Sequence, residues 1–487
     1  MPRQNQTMHT DLYQLTMMYG YYRAGTHKRE AVFDLFFRTG PFGGNHVITA
    51  GLEQAIEYIQ NLHFSQEDLD YLASLKLFSP DFLDFLRDFT FTGDILAMPE
   101  GTVAFPHEPL VRVKAPIYQG QLIETALLAM IGHQSLIATK AARVVQAAEG
   151  DPVLEFGLRR AQGLGAGLYG ARAAIVGGCA ATSNLLAGQV FGVPVSGTHA
   201  HSWVMSFPTE LDAFRAYAAA YPDACLLLVD TYDTLRSGVP NAIIVGKELE
   251  AKGHKLLGIR LDSGDISYLS REARKMLDSA GLTYAKIVAS NDLDEHLIRD
   301  LKQQGAKVDT WGVGTNLITA RDNPALGAVY KMVAEEVDGK FVPKIKVSEN
   351  REKTTNPGVK RPLRLMDNST GKAIADLIIL EEEVIDTSKP LTIFDPIETW
   401  KRKTLRNFSV QELLTPIFLQ GELVYSLPSL PEIQQRAKEN QAAFWPEHIR
   451  LINPQEYYVD LSEPLWNLKQ QLIEQERARI QNGLNGR

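Results

Sequence analysis

The spacing of apolar residues in the first quarter of the chain indicates a mixed layer of helices and strands. Apolar residues at helical spacing predict a helix within residues 8–22, and an apolar run predicts a strand at 31–37. Three amphipathic segments with helix-capping residues come next, and they are followed by β-like runs broken by proline and glycine. We therefore expect an α+β domain over residues 1–120.

The middle of the chain alternates between apolar runs and helical patterns. A long helical pattern covers residues 121–148. The apolar runs that predict strands lie at 153–156, about 174–177, 193–195, 225–229, 256–260, 286–289 and 308–311, and helical patterns between them lie at 209–221, 239–252, 267–280 and 293–304. Repeated β-α units predict parallel strands joined by right-handed crossovers.

About seven such strands fit either an open doubly wound sheet or a barrel. Because no GxGxxG follows the first strand, a dinucleotide-binding sheet is disfavoured. We expect an irregular α/β barrel over residues 121–368. The tail, residues 369–487, contains a strand-like IADLIIL and helical patterns at about 430–443 and 462–480, and we expect it to pack on the N-terminal domain or on the barrel rim.

Composition narrows the class of protein. The chain has 487 residues, 45% of them hydrophobic, and a net charge of −8, which disfavours a general nucleic-acid binder. No signal peptide and no apolar run of about 18 residues is visible, which disfavours secretion and a membrane span. Two cysteines far apart in the sequence, Cys179 and Cys225, are typical of a reducing compartment. These features predict a cytoplasmic, multi-domain metabolic protein.

Polar, charged and glycine residues follow nearly every predicted strand of the barrel. The segments are EFGLRRAQG at 155–163, GGCAATSN at 177–184, GTHAHSW at 197–203, DTYDT at 230–234, RLDSGD at 260–265, SND at 290–292 and WGVGTN at 311–316. Turn residues between βα units would produce part of this pattern by chance. The carboxyl ends of barrel strands meet at one mouth, however, so these segments predict an active site there.

Two of these segments and a basic stretch carry the most specific chemistry. In GTHAHSW, His199 and His201 are two residues apart, so in an extended segment at most one of them faces a given pocket. WGVGTN is typical of a backbone nest with a hydroxyl that can hold a phosphate. The basic stretch at 343–364 is either a solvated charge run or a loop that wraps a polyanion, and its Thr, Asn, Pro and Gly residues favour the loop.

Taken together, the chain resembles the nicotinate phosphoribosyltransferase family of type II phosphoribosyltransferases. The motifs that carry the resemblance are TDLYQLTM, FRTGPFGG with AGLEQAI, EFGLRRAQG, GTHAHS, LVDTYDT, RLDSGD, GVGT, KTTNPG and NPQEYYVDLSEPL, and they span nearly the whole chain. The resemblance implies an enzyme that converts nicotinate, 5-phosphoribosyl-1-diphosphate, ATP and water to nicotinate mononucleotide, diphosphate, ADP and phosphate, the first step from nicotinate to NAD. It also implies Mg²⁺ bound with the substrate phosphates and a homodimer with shared sites.

The resemblance also assigns site residues. A flat aromatic anion needs stacking faces and a cation. The residues implied for nicotinate are Tyr13 of the partner subunit, Phe156, Ser183, Thr198 and Arg260, and those implied for the phosphoribosyl diphosphate are Arg159, Asn291, Gly312, Gly314 and Thr315. For the leaving diphosphate, Lys353 and Lys360 are candidates only by their position in the basic stretch. His201 matches the phosphorylated histidine, and Asp262 is expected at the ribose hydroxyls or at a metal-bound water. No firm metal ligand is implied.

Other interpretations compete with this one. A nicotinamide phosphoribosyltransferase of the same fold would carry an aspartate where this chain has Ser183, because an amide needs an acceptor that would repel nicotinate. A quinolinate phosphoribosyltransferase would need a denser basic pocket and decarboxylation chemistry, and chains of that class are typically much shorter. A non-catalytic nucleotide-binding relative would have little reason to keep His201 and Arg260 together. The segment 226–238 superficially resembles the diphosphate-sugar loop of type I phosphoribosyltransferases, but Asp230 and Asp233 are three apart rather than adjacent.

Overall fold

The computed structural model describes residues 5–348 and 353–485, with side chains up to residue 480. The chain forms two compact units: unit 1 comprises Met1–Leu136 and Ala325–Arg487, and unit 2 comprises Ile137–Pro324. Among the described residues, no helix combines the length and the apolar character needed to cross a membrane.

The N-terminal part of unit 1 contains the elements that its periodicity predicts. Its helices are α1 (Leu12–Arg23), α2 (Leu52–Gln60), α3 (Gln66–Ser74), α4 (Pro80–Arg87), α5 (Ile117–Leu122) and the first half of α6 (Glu124–Ala147), and its strands are β1 (Glu30–Phe37), β2 (Val47–Ile48), β3 (Asp94–Ala97), β4 (Val103–Ala104) and β5 (Val111–Pro116). Helix α1 begins after Asp11, whose backbone N–H donates to Oε1 of Gln14 at 2.7 Å. This bond satisfies one of the orphan donors at the helix start.

Unit 2 is built around a parallel sheet. Its strands are β6 (Val153–Glu155), β7 (Ala181–Thr182), β8 (Leu226–Leu228), β9 (Gly258–Leu261), β10 (Lys286–Ala289) and β11 (Thr310–Val313), in the spatial order β7-β6-β11-β10-β9-β8. Its helices are α7 (Leu164–Val176), α8 (Leu185–Phe191), α9 (His201–Met205), α10 (Glu210–Ala220), α11 (Val239–Ala251), α12 (Ile266–Ser279), α13 (Glu295–Gln303) and α14 (Thr315–Ile318). All of its strand pairs are parallel, which confirms the prediction from the repeated β-α units.

Two of the predicted strands of this sheet are wrong. The apolar run at 174–177 is the end of α7, because the short apolar run continues an alanine-rich helix rather than starting a strand. The run at 193–195 contributes only an isolated parallel bridge between Val195 and Thr182. The strand that follows α7 is instead the two-residue β7.

The segment after α8 contacts both edge strands of the parallel sheet. At β7, the Thr182 N–H donates to the Pro194 carbonyl at 3.1 Å, and the Ser196 N–H donates to the Thr182 carbonyl at 2.9 Å. At β8, the Thr198 hydroxyl donates to the Leu226 carbonyl at 2.7 Å. The segment therefore bonds to both ends of the row of strands.

The chain then returns to unit 1 and extends its antiparallel sheets. The elements are β12 (Ala328–Val337), β13 (Lys340–Pro343), β14 (Lys360–Asp367), β15 (Ala373–Leu380), β16 (Leu391–Phe394), β17 (Arg402–Leu405), β18 (Phe408–Glu412), β19 (Thr415–Leu419), β20 (Glu422–Leu423), α15 (Leu430–Ala442), α16 (Pro446–Ile449), β21 (Val459–Leu461) and α17 (Glu463–Asn485). They build a seven-stranded sheet, β13-β12-β1-β5-β3-β19-β20, and a four-stranded sheet, β18-β14-β15-β21.

The division into units falls at other positions than the expected 120 and 368. Strand β12 pairs antiparallel with β1, and β19 pairs antiparallel with β3. Residues 328–343, which the sequence pattern assigned to the barrel, therefore belong to a sheet begun by the N-terminal segment. The boundaries of the units therefore depend on pairing between strands that are about three hundred residues apart in the sequence.

Candidate active site

The two histidines of GTHAHSW lie in different environments. His199 is buried, only 7% exposed, and its ring packs edge-on against Tyr217. His201 is the first residue of α9, and its side chain is 40% exposed. The expectation that at most one of them faces a pocket agrees with this arrangement, in which the accessible ring is His201.

Two loops after neighbouring strands surround the ring of His201. Nδ1 of His201 lies 3.1 Å from the Thr231 hydroxyl, on the loop after β8. Nε2 lies 3.8 Å from Oδ2 of Asp262, after β9, and 4.0 Å from Oδ1 of Asp230. The imidazole is therefore placed between a hydroxyl on one side and two carboxylates on the other.

Arg260 and Asp262 form a fixed pair at the end of β9. One guanidinium NH2 donates to Oδ1 of Asp262 at 2.7 Å, and Nε donates to the Ser290 hydroxyl at 2.8 Å. Burial alone would raise the pKa of Asp262, but the hydrogen bond from Ser290 and the charge and hydrogen bond of Arg260 outweigh it and hold that pKa below its usual range. Asp262 is therefore a carboxylate, and the guanidinium is oriented with NH1 as its only nitrogen that makes no hydrogen bond to the described residues.

A glycine makes room for an aromatic ring beside this arginine. Phe156 follows β6, and its N–H donates to the Val313 carbonyl of β11 at 2.8 Å. The Arg260 guanidinium carbon lies 5.8 Å from the centroid of the Phe156 ring. A Cβ at Gly312 would lie 2.7 Å from that ring, so only glycine leaves the ring in this position. Phe156 therefore offers a flat face next to a cation.

A buried carboxylate holds the loops after β6 and β7 together. Glu155 is fully buried and accepts hydrogen bonds from the Thr182 hydroxyl, at 2.6 Å, and from the Gly157 N–H. Burial raises the pKa of Glu155, against these two hydrogen bonds. The carboxyl group fixes the backbone on either side of Phe156. Ser183 follows on the next loop, where its side chain is exposed and its N–H donates to the Glu155 carbonyl at 2.9 Å.

The remaining unit 2 residues implied by the resemblance lie on loops at the same ends of the strands. Arg159 is exposed on a short 3₁₀ turn after β6, and Gly314 and Thr315 join β11 to α14. Asn291, after β10, has a φ of 121°, which is rare for a residue other than glycine. In a parallel sheet the carboxyl ends of the strands are where ligands bind, so these side chains are placed for it.

Tyr13 lies on α1 of unit 1, and its side chain is 45% exposed. Burial of part of the ring raises the pKa of Tyr13 to about 12, and the charge of Glu124 and a hydrogen bond to it add to the effect. The phenol is therefore neutral, and its exposed surface is free to stack on a flat partner.

The two lysines predicted for the diphosphate differ. Lys353 is exposed. Lys360, in contrast, is buried in unit 1, with Nζ 2.7 Å from Oδ2 of Asp34. Because this ammonium is enclosed and neutralised by a carboxylate of β1, its surroundings favour a structural role over a contact with a substrate phosphate.

A second set of cations in unit 1 lies around Arg38. Burial lowers the pKa of Lys331, and the charges of Arg38 and Lys346 lower it further, against the charge of Glu124. Burial, and then the charges of Lys469 and Arg38, lower the pKa of His107 to about 4. We name Arg38, Lys331 and Lys346 the basic cluster; mutual repulsion of its charges is relieved when an anion binds.

Sequence reasoning missed several of these residues. Asp230, Thr231, Ser290 and Glu155 received no role, and neither did Arg38 of the FRTGPFGG motif. The signals for Asp230 and Thr231 were that they follow a predicted strand and lie in the LVDTYDT motif of the resemblance. Ser290 lies in the SND segment noted after β10.

Three regions of the chain match models of one protein family. Residues 8–132 match the nicotinate phosphoribosyltransferase N-terminal domain, residues 152–374 the nicotinate phosphoribosyltransferase family, and residues 359–469 the nicotinate phosphoribosyltransferase C-terminal domain. The nicotinate phosphoribosyltransferase of Bacillus subtilis is 50% identical over 478 residues, which cover 98% of this chain and 97% of that protein.

Solved structures show the same fold. The crystal structure of human nicotinic acid phosphoribosyltransferase matches with a TM-score of 0.83 at 35% identity, over 95% of this chain and 99% of that chain. The nicotinate-nucleotide pyrophosphorylase of Pyrococcus furiosus, at 23% identity and a TM-score of 0.68, covers 90% of this chain and 96% of its own, and shares the fold. From the three matched regions and the identity over nearly its full length, this chain belongs to the nicotinate phosphoribosyltransferase family.

Proposed function

We propose that the chain transfers the phosphoribosyl group of 5-phosphoribosyl-1-diphosphate to nicotinate, as its family does, and couples the transfer to ATP hydrolysis through a phosphohistidine at His201. Membership of the family supports the transfer reaction. The observation that supports the coupling is the position of His201, which is accessible and has carboxylates of Asp230 and Asp262 beside Nε2.

The carboxylates decide which ring nitrogen reacts. Their negative charges favour the proton on Nε2, so the lone pair resides on Nδ1, to which the Thr231 hydroxyl then donates. Nδ1 forms a bond to the γ-phosphorus of ATP while the bond from that phosphorus to the β-γ bridging oxygen breaks and ADP leaves. The phosphorylated ring is a cation, which Asp230 and Asp262 stabilise, and water later releases phosphate and restores the imidazole.

Nicotinate is held through its ring and its carboxylate. Phe156 supplies a stacking face, and the neighbouring Arg260 offers the NH1 edge of its guanidinium to the carboxylate. Ser183 lies on the loop after β7 and would complete the contacts. Thr198, also implied by the resemblance, donates its hydroxyl proton to the Leu226 carbonyl, so it would line the site without donating to the nicotinate carboxylate. We include in the proposal a homodimer in which Tyr13 of the partner subunit supplies the second face, which the exposed ring of Tyr13 supports.

The transfer step makes a bond from the nicotinate ring nitrogen to C1 of the ribose while the C1–oxygen bond to diphosphate breaks. Positive charge develops on the sugar as the diphosphate departs. Asp262, whose lowered pKa keeps it ionised, stabilises that charge electrostatically or binds the ribose hydroxyls.

The phosphates of the sugar need donors and cations. Gly312, Gly314 and Thr315 offer backbone N–H groups and a hydroxyl for the 5′-phosphate, and Arg159 and Asn291 lie on adjacent loops. Of the two lysines predicted for the diphosphate, we retain the exposed Lys353 and leave out Lys360, whose ammonium is paired with Asp34. The unit 2 assignments follow from the resemblance, and the exposure of Arg159 and Lys353 supports their part in the proposal.

Mg²⁺ fits the donors that are present. The described residues contain no group of three or more His, Cys, Asp or Glu side chains arranged to hold a metal ion. Mg²⁺ normally binds to substrate phosphates with one or two carboxylates, so the ion would arrive with the substrates, and Asp262 would supply a protein oxygen. When bound, the ion neutralises charge on the departing diphosphate.

We further propose that the parallel sheet of unit 2 is an irregular barrel closed by the segment 194–199. The backbone of this segment bonds to β7, and its side chains bond to β8. Closure in this way would bring the loops that carry Phe156, His201 and Arg260 around one mouth.

Labelling with γ-³²P-ATP tests the coupling. We expect a label that is released in acid and stable in alkali, that is lost in His201→Ala and that remains in His254→Ala, a control at an exposed histidine paired with Asp223. A label that survives in His201→Ala would contradict the assignment. The same preparation should form the mononucleotide from nicotinate; a preference for nicotinamide instead would favour the amide-using alternative.

A further inference from the structure

We propose that His199 is a positioning residue: together with Thr198 it takes the place of a strand at the free edge of β8 and so fixes the position of His201. The inference rests on the proposed function of His201. The resemblance gives no role to His199 in GTHAHSW, and the inference supplies one.

The edge of β8 that faces away from β9 carries backbone groups at alternate residues. On the β9 side, the Leu257 N–H donates to the Cys225 carbonyl, and the Val229 N–H donates to the Arg260 carbonyl. Alternate residues of a strand direct their backbone groups to opposite edges. The carbonyl of Leu226 and the N–H of Leu228 therefore point away from β9, and in a closed sheet the next strand would bond to both.

Two consecutive side chains supply these bonds instead. The Thr198 hydroxyl donates to the Leu226 carbonyl at 2.7 Å, and Nε2 of His199 accepts from the Leu228 N–H at 3.2 Å. The Thr198 hydroxyl thus replaces the N–H of a neighbouring strand, and Nε2 of His199 replaces its carbonyl. Leu228 is buried, so its N–H would otherwise be unpaired in the core.

The same segment is held on its other side by backbone bonds to Thr182 of β7. Only one residue separates the two attachments, because Ser196 is bonded to β7 and Thr198 and His199 are bonded to β8. Helix α9 then begins at His201, two residues after His199. The position of the His201 ring relative to Asp230, on the loop after β8, is consequently set by how the preceding residues attach to β8.

His199 can accept from Leu228 only as a neutral ring. With Nε2 as acceptor, its proton lies on Nδ1, which is 3.5 Å from the Ala200 carbonyl. Burial among Phe214 and Tyr217 lowers the pKa of His199 to about 4, and the charges of Arg260 and His201 contribute. The ring is buried and its accepting nitrogen is bonded to the backbone, so His199 is not itself available as a nucleophile.

The test compares two polar replacements of similar size in the full-length protein. Gln places its side-chain oxygen near the position of Nε2, whereas Asn is one methylene shorter and does not reach Leu228. We expect His201 to be phosphorylated by γ-³²P-ATP at nearly the wild-type rate in His199→Gln. In His199→Asn the rate should fall by about ten- to hundred-fold, because a displacement of about 1 Å is enough for such a loss.

A separate variant tests whether a general loss of stability would slow the labelling. Leu277→Ala empties a buried position of α12 and lowers stability without touching this segment, so its labelling rate should equal that of the wild type. Equal rates in His199→Asn and His199→Gln would overturn the inference while leaving the proposed function intact. An equal fall in Leu277→Ala would also overturn it, because the effect would then be one of stability. An unlabelled wild-type protein would overturn the proposed coupling and this inference together.

Discussion

Oδ1 of Asp230 lies 4.0 Å from Nε2 of His201 and is a buried oxygen that accepts no hydrogen bond from the described residues. The other oxygen, Oδ2, accepts from the Asp262 N–H at 2.9 Å and from the Ser263 hydroxyl at 2.6 Å. These two bonds fix the carboxylate, so Oδ1 is directed at the imidazole. A buried oxygen without a partner is costly unless a cation forms next to it, and phosphorylation of His201 would form one.

Asp230→Asn should therefore slow the phosphorylation of His201 by about a hundred-fold or more, since the replacement keeps the shape but removes the charge that stabilises the imidazolium. The initial rate of label incorporation from γ-³²P-ATP measures this. Asp223→Asn, at an exposed carboxylate paired with His254, is the matched control and should label normally. An undiminished rate in Asp230→Asn would mean that Asp262 alone supports the ring.

Arg260→Lys should weaken nicotinate binding. Lysine keeps the charge but loses the planar fork of the guanidinium, which bonds to Ser290 and Asp262 and, in the proposed function, to the substrate carboxylate. A charged hydrogen bond contributes about 1.5–3 kcal/mol, so the KM for nicotinate should rise about ten- to hundred-fold. Steady-state kinetics with Arg215→Lys as control, an exposed arginine paired with Glu248, would isolate the site effect. An unchanged KM would show that another cation binds the carboxylate.

Lys360→Ala should destabilise the protein rather than weaken substrate binding. The substitution leaves Asp34 buried without its 2.7 Å partner, and breaking a buried pair in this way costs about 3–5 kcal/mol. Arg112, whose Nε lies 3.6 Å from Asp34, should reduce that loss. Chemical denaturation measures the free energy of unfolding, and kinetics at low temperature measure the KM for phosphoribosyl diphosphate.

Lys389→Ala is the control for this prediction, because Lys389 is exposed and its pair with Asp386 contributes little to stability. A stable Lys360→Ala protein with a raised KM would restore the original assignment of Lys360 to the diphosphate.

The contrast between Lys360 and Arg260 shows what the sequence could predict. Arg260 and Asp262 lie two residues apart at the end of a strand, so a period of two and the barrel pattern place them together, and the structure joins them at 2.7 Å. Lys360 lies in a basic stretch whose composition predicts a surface loop. Its partner, Asp34, is more than three hundred residues away and pairs with it only because β1 and β14 fold into unit 1.

Asp230 was missed for a related reason. Its spacing from Asp233 was compared with a motif of adjacent acids, and that comparison says nothing about the ring of His201, which approaches from the loop after α8. The strand expected at 174–177 failed because a four-residue apolar run fits a buried helix equally well. Local patterns thus predicted the parallel sheet, whereas contacts between segments distant in the sequence determine the charge pairs.

The stability of the protein should depend on pH through His199. The pKa of His199 is lowered by burial to about 4, below its ordinary value of 6.5. Between these values the unfolded chain takes up a proton that the folded protein does not, so the folded state loses stability as the pH falls below 6.5 and this loss is complete near pH 4. At pH 5 a shift of this size corresponds to about 2 kcal/mol relative to pH 7.

His199→Gln removes this titration while keeping the acceptor for Leu228, so it is the comparison that isolates the effect. Other groups, His107 among them, titrate equally in both proteins and cancel in the difference. Between pH 7 and pH 5, the free energy of unfolding should fall about 2 kcal/mol further in the wild type than in His199→Gln. Urea denaturation at the two pH values measures it. Parallel losses in the two proteins would mean that His199 accepts a proton in the folded state, and that its bond to Leu228 is broken at pH 5.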